Sequence, residues 1–282
     1  MSFTEQIEQL KQDFVDVRKA GYDEGYETGK VEGGNTEEAY ARGVADGKQA
    51  EYDAFWNGVQ QNGNRTDYRL AFSGGSWTSE NLKPKYFVTL IPVGSGLNVG
   101  EIFSRCGQGN NEVDGMVDVS AACAKFNFSK CTMPNNLFLN ACVKNITVDL
   151  SSATNLNSTF SQADGGKHEN IKLKVSANCV FNLTFAYCSQ LTTLEFLEGS
   201  VIGRNGLDLH WSPLNKTSII NVINTLSSTT NGLTVTLSLT AVNRAFETST
   251  GANDGSTSAE WLSLIAPKTD TTKQYYWIIS LL

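Results

Sequence analysis

The feature that most constrains the fold is a short pattern that recurs three times in register. Ser129, Ser151 and Ser176 are each followed by an asparagine six residues later, a phenylalanine nine residues later and a small residue twelve residues later. Those positions hold Asn135, Asn157 and Asn182; Phe138, Phe160 and Phe185; and Ala141, Ala163 and Cys188. Intervals of 22 and 25 residues are typical of a solenoid, whose units contact mainly their neighbours. Function in such a chain is expected on an extended surface.

An alternating apolar segment precedes each serine and predicts a strand. Residues two apart lie on one face of a strand, so the apolar triplets are expected to point inward. The triplets are Ala124, Phe126 and Phe128; Ile146, Val148 and Leu150; and Ile171, Leu173 and Val175. Weaker copies are Thr192, Leu194 and Phe196; Leu207, Leu209 and Trp211; and Leu233, Val235 and Leu237. The residues between them are expected to face solvent.

The pattern also accounts for the asparagines and cysteines. A regularly placed asparagine can hydrogen-bond the backbone of the adjoining unit, which predicts an asparagine ladder. The six cysteines all fall in the repeat region and lack a Cys-x-x-Cys spacing. Because the chain begins without an apolar signal segment, they are interpreted as buried free thiols in a reducing cytosol rather than as disulfides.

The net charge of −7 is unevenly distributed. Residues 1–60 carry 13 acidic and 6 basic side chains, whereas residues 61–282 carry 16 of each. Neither part offers the basic stripe of a nucleic-acid-binding protein, so no nucleic-acid partner is expected. The uncharged stretch from Thr217 to Asn243 is too rich in Ser, Thr and Asn for a membrane span; it divides into a helix near 219–226 and a strand at 233–237.

The N-terminal segment predicts a helix with coiled-coil-like spacing. Its apolar residues at a and d positions, the candidate oligomerisation or attachment residues, are Ile7, Leu10, Phe14 and Val17. Glycines at four-residue intervals follow, each costing a helix about 1 kcal/mol relative to alanine. Two interpretations of residues 21–48 stay open: helices ordered by association in an oligomeric stalk, or a mobile acidic linker.

These patterns predict an α+β chain: an irregular solenoid with an N-terminal helical stalk. The expected boundaries are an acidic stalk at 1–63, a β-rich cap at 64–100, the repeats at 101–212 and a C-terminal capping module at 213–282. The capping module is expected to contain a helix from Trp261 to Ala266, stopped at Pro267, and then a strand from Tyr275 to Ser280.

The sequence offers little that points to catalysis. The two histidines, His168 in a predicted polar loop and His210 on an outward strand position, have no Cys, Asp or Glu partner at metal or triad spacing. Gly94, Gly96 and Gly100 depart from the spacing of a dinucleotide-binding loop. We therefore expect no enzyme, no cofactor and no metal, although a glycosidase-like carboxylate pair on the outward strand face is an alternative.

Several segments of the sequence are similar to those of a known group of repeat proteins. They are FNFSKC at 126–131, VIGRNGLDLHWSPL at 201–214, SIINVINTLSSTTNGLTVTLS at 218–238, YDAFWNGVQQNGNRTDYRLAFSGGSW at 52–77 and LKPKY at 82–86. With them the chain resembles irregular leucine-rich-repeat proteins of bacterial surfaces and of phages of gut bacteria. The resemblance implies an irregular leucine-rich-repeat-like solenoid and a virion component made in the bacterial cytoplasm. The chain departs from a regular leucine-rich repeat in its few leucines.

The resulting hypothesis is a phage tail-associated fibre or receptor-binding protein. Its partners would be other virion proteins, further copies of itself, with a trimer as the first guess, and a carbohydrate or protein of the host surface. The alternatives are a capsid-attached head fibre or decoration and a bacterial surface adhesin or interaction module. The candidate binding face comprises the outward strand residues Thr147, Asp149, Lys172, Lys174, Thr193, Glu195, Asp208 and His210.

Overall fold

The computed structural model describes residues 91–92, 101–108, 115–124, 126–247 and 254–282. Contacts divide the chain into two compact units, one of Met1–Arg65 with Lys83–Ile91 and the other of Thr66–Leu82 with Pro92–Leu282. The expected stalk at 1–63, with Ile7, Leu10, Phe14 and Val17, lies outside the described residues, as does nearly all of the expected cap at 64–100. Apart from Ile91, every described residue belongs to the second unit.

The described part of the chain mixes helices with parallel strands, as expected for an α+β protein. The strands are β1 (Ile91–Pro92), β2 (Phe126–Asn127), β3 (Cys142–Asp149), β4 (Lys167–Lys174), β5 (Thr193–Phe196), β6 (Leu207–Leu209), β7 (Leu233–Leu237) and β8 (Trp277–Leu281). The α-helices are α1 (Ser120–Cys123), α2 (Lys216–Thr225), α3 (Leu239–Ala245) and α4 (Ala259–Thr269). Short 3-10 helices occupy Phe128–Lys130 and Gly255–Thr257.

Strands β3, β4 and β5 form a parallel sheet in that order. Ile146 is aligned with Ile171 and Leu194, and one step further Val148 is aligned with Leu173 and Phe196. All six side chains are buried. The period-2 alternation of the sequence therefore places matching apolar residues in two columns under the sheet, and this part of the prediction is confirmed.

A second set of segments stacks through backbone hydrogen bonds on the turns that precede these strands. The N–H groups of Phe103, Phe138 and Phe160 donate to the carbonyls of Leu137, Thr159 and Thr184 at 2.9, 2.8 and 3.0 Å. This pairing places Phe103, Phe138, Phe160 and Phe185 directly over one another. Their rings are nearly parallel, with centroids 5.0, 5.5 and 5.4 Å apart along the stack.

The turns require an unusual backbone and close packing at fixed positions. Glu101, Asn136 and Ser158 occupy matching places in the stack and all have positive φ, between 51° and 63°. At the next corner a Cβ on Gly166 would lie 2.6 Å from the Cα of Asn140. Only glycine permits that approach, so Gly166 fixes how closely two successive segments pack.

The edge of β5 is covered by α2 rather than by another strand. Asn215 begins this helix by accepting a hydrogen bond from the Ser218 N–H at 2.9 Å. The Ser218 hydroxyl in turn accepts from the Leu194 N–H at 3.0 Å. A side chain of the helix thus satisfies a donor that the sheet leaves unpaired, which blunts the strand edge.

The C-terminal part forms a second parallel sheet in the order β6, β7, β8. Ser238 and Ser258 cap α3 and α4 by accepting from the N–H groups of Ala241 and Trp261 at 3.3 and 3.0 Å. The predicted strand at 233–237 has the observed bounds of β7, and the predicted helix at 219–226 falls within three residues of α2. Helix α4 begins before Trp261 and continues past Pro267 to Thr269, so the expected stop at Pro267 is wrong.

Three residues expected to point inward do not. Ala124 and Thr192 are exposed, because each lies just before its strand begins. Trp211 is also exposed, since β6 ends at Leu209 and the chain turns. Leu207 and Leu209 pair with Val235 and Leu237, an offset of 28 residues that leaves Trp211 beyond the sheet.

Candidate binding site

The structure brings six of the eight candidate residues together on the outer face of β3, β4 and β5. Thr147, Lys172 and Glu195 are aligned across the three strands. The Lys172 Nζ lies 2.9 Å from the Glu195 Oε2, with the two side chains 51% and 42% exposed. An ion pair this open to water stabilises the fold by no more than about 1 kcal/mol, so both groups are available to a ligand at small cost.

The next row places Asp149 beside Lys174 at the end of the strands. One carboxylate oxygen of Asp149 accepts from the N–H of Ser151 at 2.9 Å and so holds the turn that leaves β3. Asp118 and Asp208 make the same contact with the N–H groups of Ser120 and His210 at 2.9 and 3.1 Å. One of the two carboxylate oxygens of Asp149 is therefore already used in a backbone hydrogen bond. Lys174 is half-buried beside it.

A third row contains a ladder of amide side chains that the sequence analysis missed. Asn145, Asn170 and Thr193 are aligned across the sheet. The Asn170 Nδ2 donates to the Asn145 Oδ1 at 3.1 Å, and the Thr193 hydroxyl accepts from the Asn215 Nδ2 at 3.2 Å. The available signal was that Asn145 and Asn170 each precede a column isoleucine by one residue, 25 residues apart.

The predicted asparagine ladder differs in its partners. Asn182 donates through Nδ2 to the Oδ1 of Asn157 at 2.9 Å, so these side chains bond each other at the surface rather than a neighbouring backbone. Among the residues that the structure describes, the buried side-chain oxygen of Asn135 has no hydrogen-bond partner. The regular spacing thus correctly indicated that these asparagines stack. The prediction that they hydrogen-bond the backbone of the adjoining unit is wrong for Asn157 and Asn182.

Asp208 lies on a different sheet from the other six candidates, and His210 lies in the turn directly after that strand, so its expected outward strand position is wrong. Asp208 belongs to β6 and is aligned with Thr236 of β7, so the expected ladder of eight is two separate groups. Contrary to the sequence analysis, His210 has a carboxylate partner: its Nδ1 lies 2.6 Å from the Asp208 Oδ1. Beside this pair lies Trp211, whose ring centroid is 4.7 Å from that of His210.

His168 does not lie in a polar loop. It is the second residue of β4, is fully buried and is aligned with Val143 of β3. Burial lowers the pKa of its imidazole to about 3, although backbone groups of Phe138 and Phe160 oppose the shift. The ring packs edge-on against Phe160 with centroids 6.2 Å apart, so His168 is a neutral core residue.

The six cysteines are buried free thiols, as predicted. Burial raises the pKa of Cys131 to about 11 and of Cys179 to about 12, and it raises the pKa values of the other four as well. Cys188 Sγ lies 3.1 Å from the Phe160 carbonyl in the packed interior. In the described ranges, no three or more His, Cys, Asp or Glu side chains cluster so as to hold a metal ion.

In comparisons with known proteins, no protein-family model, curated protein or solved structure matches the chain. Within the residues that the structure describes, every helix is too short or too polar to cross a membrane.

Proposed function

We propose that the chain is a non-enzymatic binding scaffold of a phage particle, in which an irregular leucine-rich-repeat-like solenoid presents rows of polar side chains to a partner. In this proposal residues 1–63 attach the chain to other virion proteins or to further copies of itself. The resemblance to phage leucine-rich-repeat proteins suggests a tail-associated fibre or receptor-binding component.

The observation that carries the proposal is the fixed polar array on β3, β4 and β5. Thr147, Lys172 and Glu195 form an exposed row on three paired strands, and the Asn145–Asn170 ladder runs alongside it. Because the backbone pairing sets the spacing of these positions, only the side chains and not the backbone have to be ordered when they bind a ligand. A rigid, extended and chemically varied surface suits recognition better than it suits a reaction that needs an enclosed site.

The binding face can be tested with a charge-removing double variant. Lys172→Ala with Asp149→Asn removes both charges and keeps an oxygen at position 149 to accept from the Ser151 N–H. Lys130→Ala with Glu198→Gln, at exposed positions outside the row, removes one charge of each sign as a matched control. The first variant is expected to reduce adsorption of the purified chain to host cells at least about tenfold, and the control less than twofold. Full adsorption by the first variant would remove this face from the proposal.

The role in the particle needs a separate measurement. Antibody labelling of intact phage, viewed by electron microscopy, is expected to mark the tail. Label on the capsid would support a head fibre or decoration, whereas release of the chain from uninfected bacteria would support a surface adhesin. Light scattering of the full chain tests self-association, for which a trimer is expected; a monomer at micromolar concentration would contradict it.

A further inference from the structure

Two large aromatic rings lie side by side at the surface, away from the polar rows. Tyr187 and Trp211 are 52% and 49% exposed. Full burial of one large apolar side chain stabilises a fold by about 1.5–3 kcal/mol, so this exposure gives up part of that stabilisation. Their ring centroids are 5.4 Å apart and their planes are inclined by 30°. The pair joins two distant parts of the chain into one shallow apolar surface, which is a common mark of a contact site.

Polar groups border this surface on one side. The His210 ring lies 4.7 Å from Trp211 and is held through Nδ1 by the Asp208 carboxylate. The Asp208 side chain is 51% exposed, and an ionised carboxylate offers about four acceptor positions. Beyond its contacts with His210, Asp208 can therefore accept hydrogen bonds from a ligand lying on the rings.

We infer that Tyr187 and Trp211 form a stacking platform for a saccharide, and that Asp208 accepts a hydrogen bond from one of its hydroxyl groups. The face of a pyranose ring presents polarised C–H groups, which are attracted to the negative face of an aromatic ring. Its rim presents hydroxyl donors, which bind carboxylates strongly. The His210 ring connects the stacking surface to this acceptor, so one ligand can contact both. The inference rests on the proposed function and names a ligand class for it.

The chemistry of the platform fits other ligands less well. A nucleic acid could stack on the same rings, but its phosphates need basic side chains, whereas the charged group that His210 links to the platform is the Asp208 carboxylate. A stable protein interface buries about 800 Å² on each partner, several times what two half-exposed rings can supply. One or two sugar rings would cover them.

The test uses the full chain and defined probes. Chitotetraose, cellotetraose, mannotetraose and a galactose tetrasaccharide are titrated while tryptophan fluorescence and calorimetric heat are recorded, with single-stranded oligothymidine as a further probe. Trp211→Ala and Tyr187→Ala remove the two faces, and Trp211→Phe keeps an aromatic ring. Tyr275→Ala is the matched control, because Tyr275 is 40% exposed elsewhere on the surface. Thermal unfolding of each variant verifies its fold.

At least one saccharide is expected to bind, with affinity reduced about tenfold or more by Trp211→Ala and about fivefold or more by Tyr187→Ala. Trp211→Phe should retain most of the affinity, and Tyr275→Ala should change it less than twofold. The inference is overturned if none of the four saccharides binds, if both platform variants bind normally, or if only oligothymidine binds. Saccharide binding by a chain that proves absent from phage particles would overturn the proposed virion role and leave the platform standing.

Discussion

Asn221 pairs with the backbone of Phe196 as a neighbouring strand would. The Phe196 N–H donates to the Asn221 Oδ1 at 2.7 Å, and the Asn221 Nδ2 donates back to the Phe196 carbonyl at 3.1 Å. One side chain on α2 thus supplies both the acceptor and the donor that the edge of β5 would otherwise lack. The sheet ends at a helix whose amide group substitutes for a peptide group.

Replacing this amide should destabilise the protein. Asn221→Ala leaves the N–H and C=O of Phe196 without partners, and we expect the free energy of unfolding to fall by about 1–3 kcal/mol. Asn224→Ala, at an exposed position on the same helix, is the control and should change it by less than about 0.5 kcal/mol. Urea denaturation followed by circular dichroism measures both. Equal effects from the two variants would show that the pairing contributes nothing beyond helix propensity.

The phenylalanine stack should behave as an energetically coupled unit. Phe138 and Phe160 are stacked at 5.5 Å, so a double-mutant cycle with leucine at both positions should give a coupling energy of about 0.5–1.5 kcal/mol. The same cycle between Phe138 and Phe181 is the control, because Phe181 is equally buried and contacts Phe196 instead. That coupling should stay below about 0.5 kcal/mol. Similar couplings in both cycles would contradict a specific role for the stack.

The thiols should be unreactive in the folded protein. Burial raises every cysteine pKa, to about 11 for Cys131 and about 12 for Cys179, so the reactive thiolate is scarce at neutral pH. At pH 8 a disulfide reagent that releases a coloured thiolate should label none of the six within minutes, and all six in denaturant. Rapid labelling of even one native thiol would contradict the buried arrangement.

His168 should make stability decline as the solution becomes acidic. Its pKa is lowered to about 3 by burial, whereas an unfolded imidazole titrates near its usual value of about 6.5. The unfolded state therefore takes up the proton first, and stability contributed by the neutral ring is lost as the pH falls from about 6.5 towards 3, by at most about 1.4 kcal/mol per pH unit.

The variant His168→Phe isolates this contribution. Within the described part of the chain, neither imidazole nitrogen makes a hydrogen bond with normal geometry, so an apolar ring at this position is expected to cost little at pH 7.5. Relative to the unmodified chain, the variant should gain free energy of unfolding by more than about 1 kcal/mol between pH 7.5 and pH 4.5. Parallel pH profiles for the two proteins would contradict the assignment.

The buried columns of the sheet β3–β4–β5 could be predicted from the sequence, because period-2 alternation is a local property. Ile146 and Ile171 could be matched without knowing the fold, since both the alternation and the 25-residue interval are visible in the letters. Phe103 was missed because 35 residues separate it from Phe138, although the Phe-x-x-Cys spacing at Phe103 and Cys106 repeats that at Phe185 and Cys188. The long insertion after Cys106 changes the interval between units, but the Phe-x-x-Cys spacing within the unit still identifies it as a repeat.

The candidate binding residues were predictable where a strand continued and not where it ended. Thr147, Lys172 and Glu195 follow from alternation alone, because each lies between two buried column residues. Trp211 was misplaced because alternation does not reveal that β6 stops at Leu209. His168 was misplaced because its strand begins four residues before the apolar triplet that identified it. Strand ends depend on partners that are distant in sequence.

The pairing of β3, β4 and β5 turns the outer face of this sheet into a grid with two fixed intervals. Adjacent strands lie about 4.8 Å apart, and outward side chains on one strand recur about every 6.6 Å. Thr147 and Lys172 mark the shorter interval, and Thr147 and Asp149 mark the longer one. A polymer lying across the strands would meet a new side chain at every short step, whereas one lying along a strand would meet them less often. A ligand with a regular repeat can therefore bind this face only in an orientation in which its repeat length matches one of these two spacings.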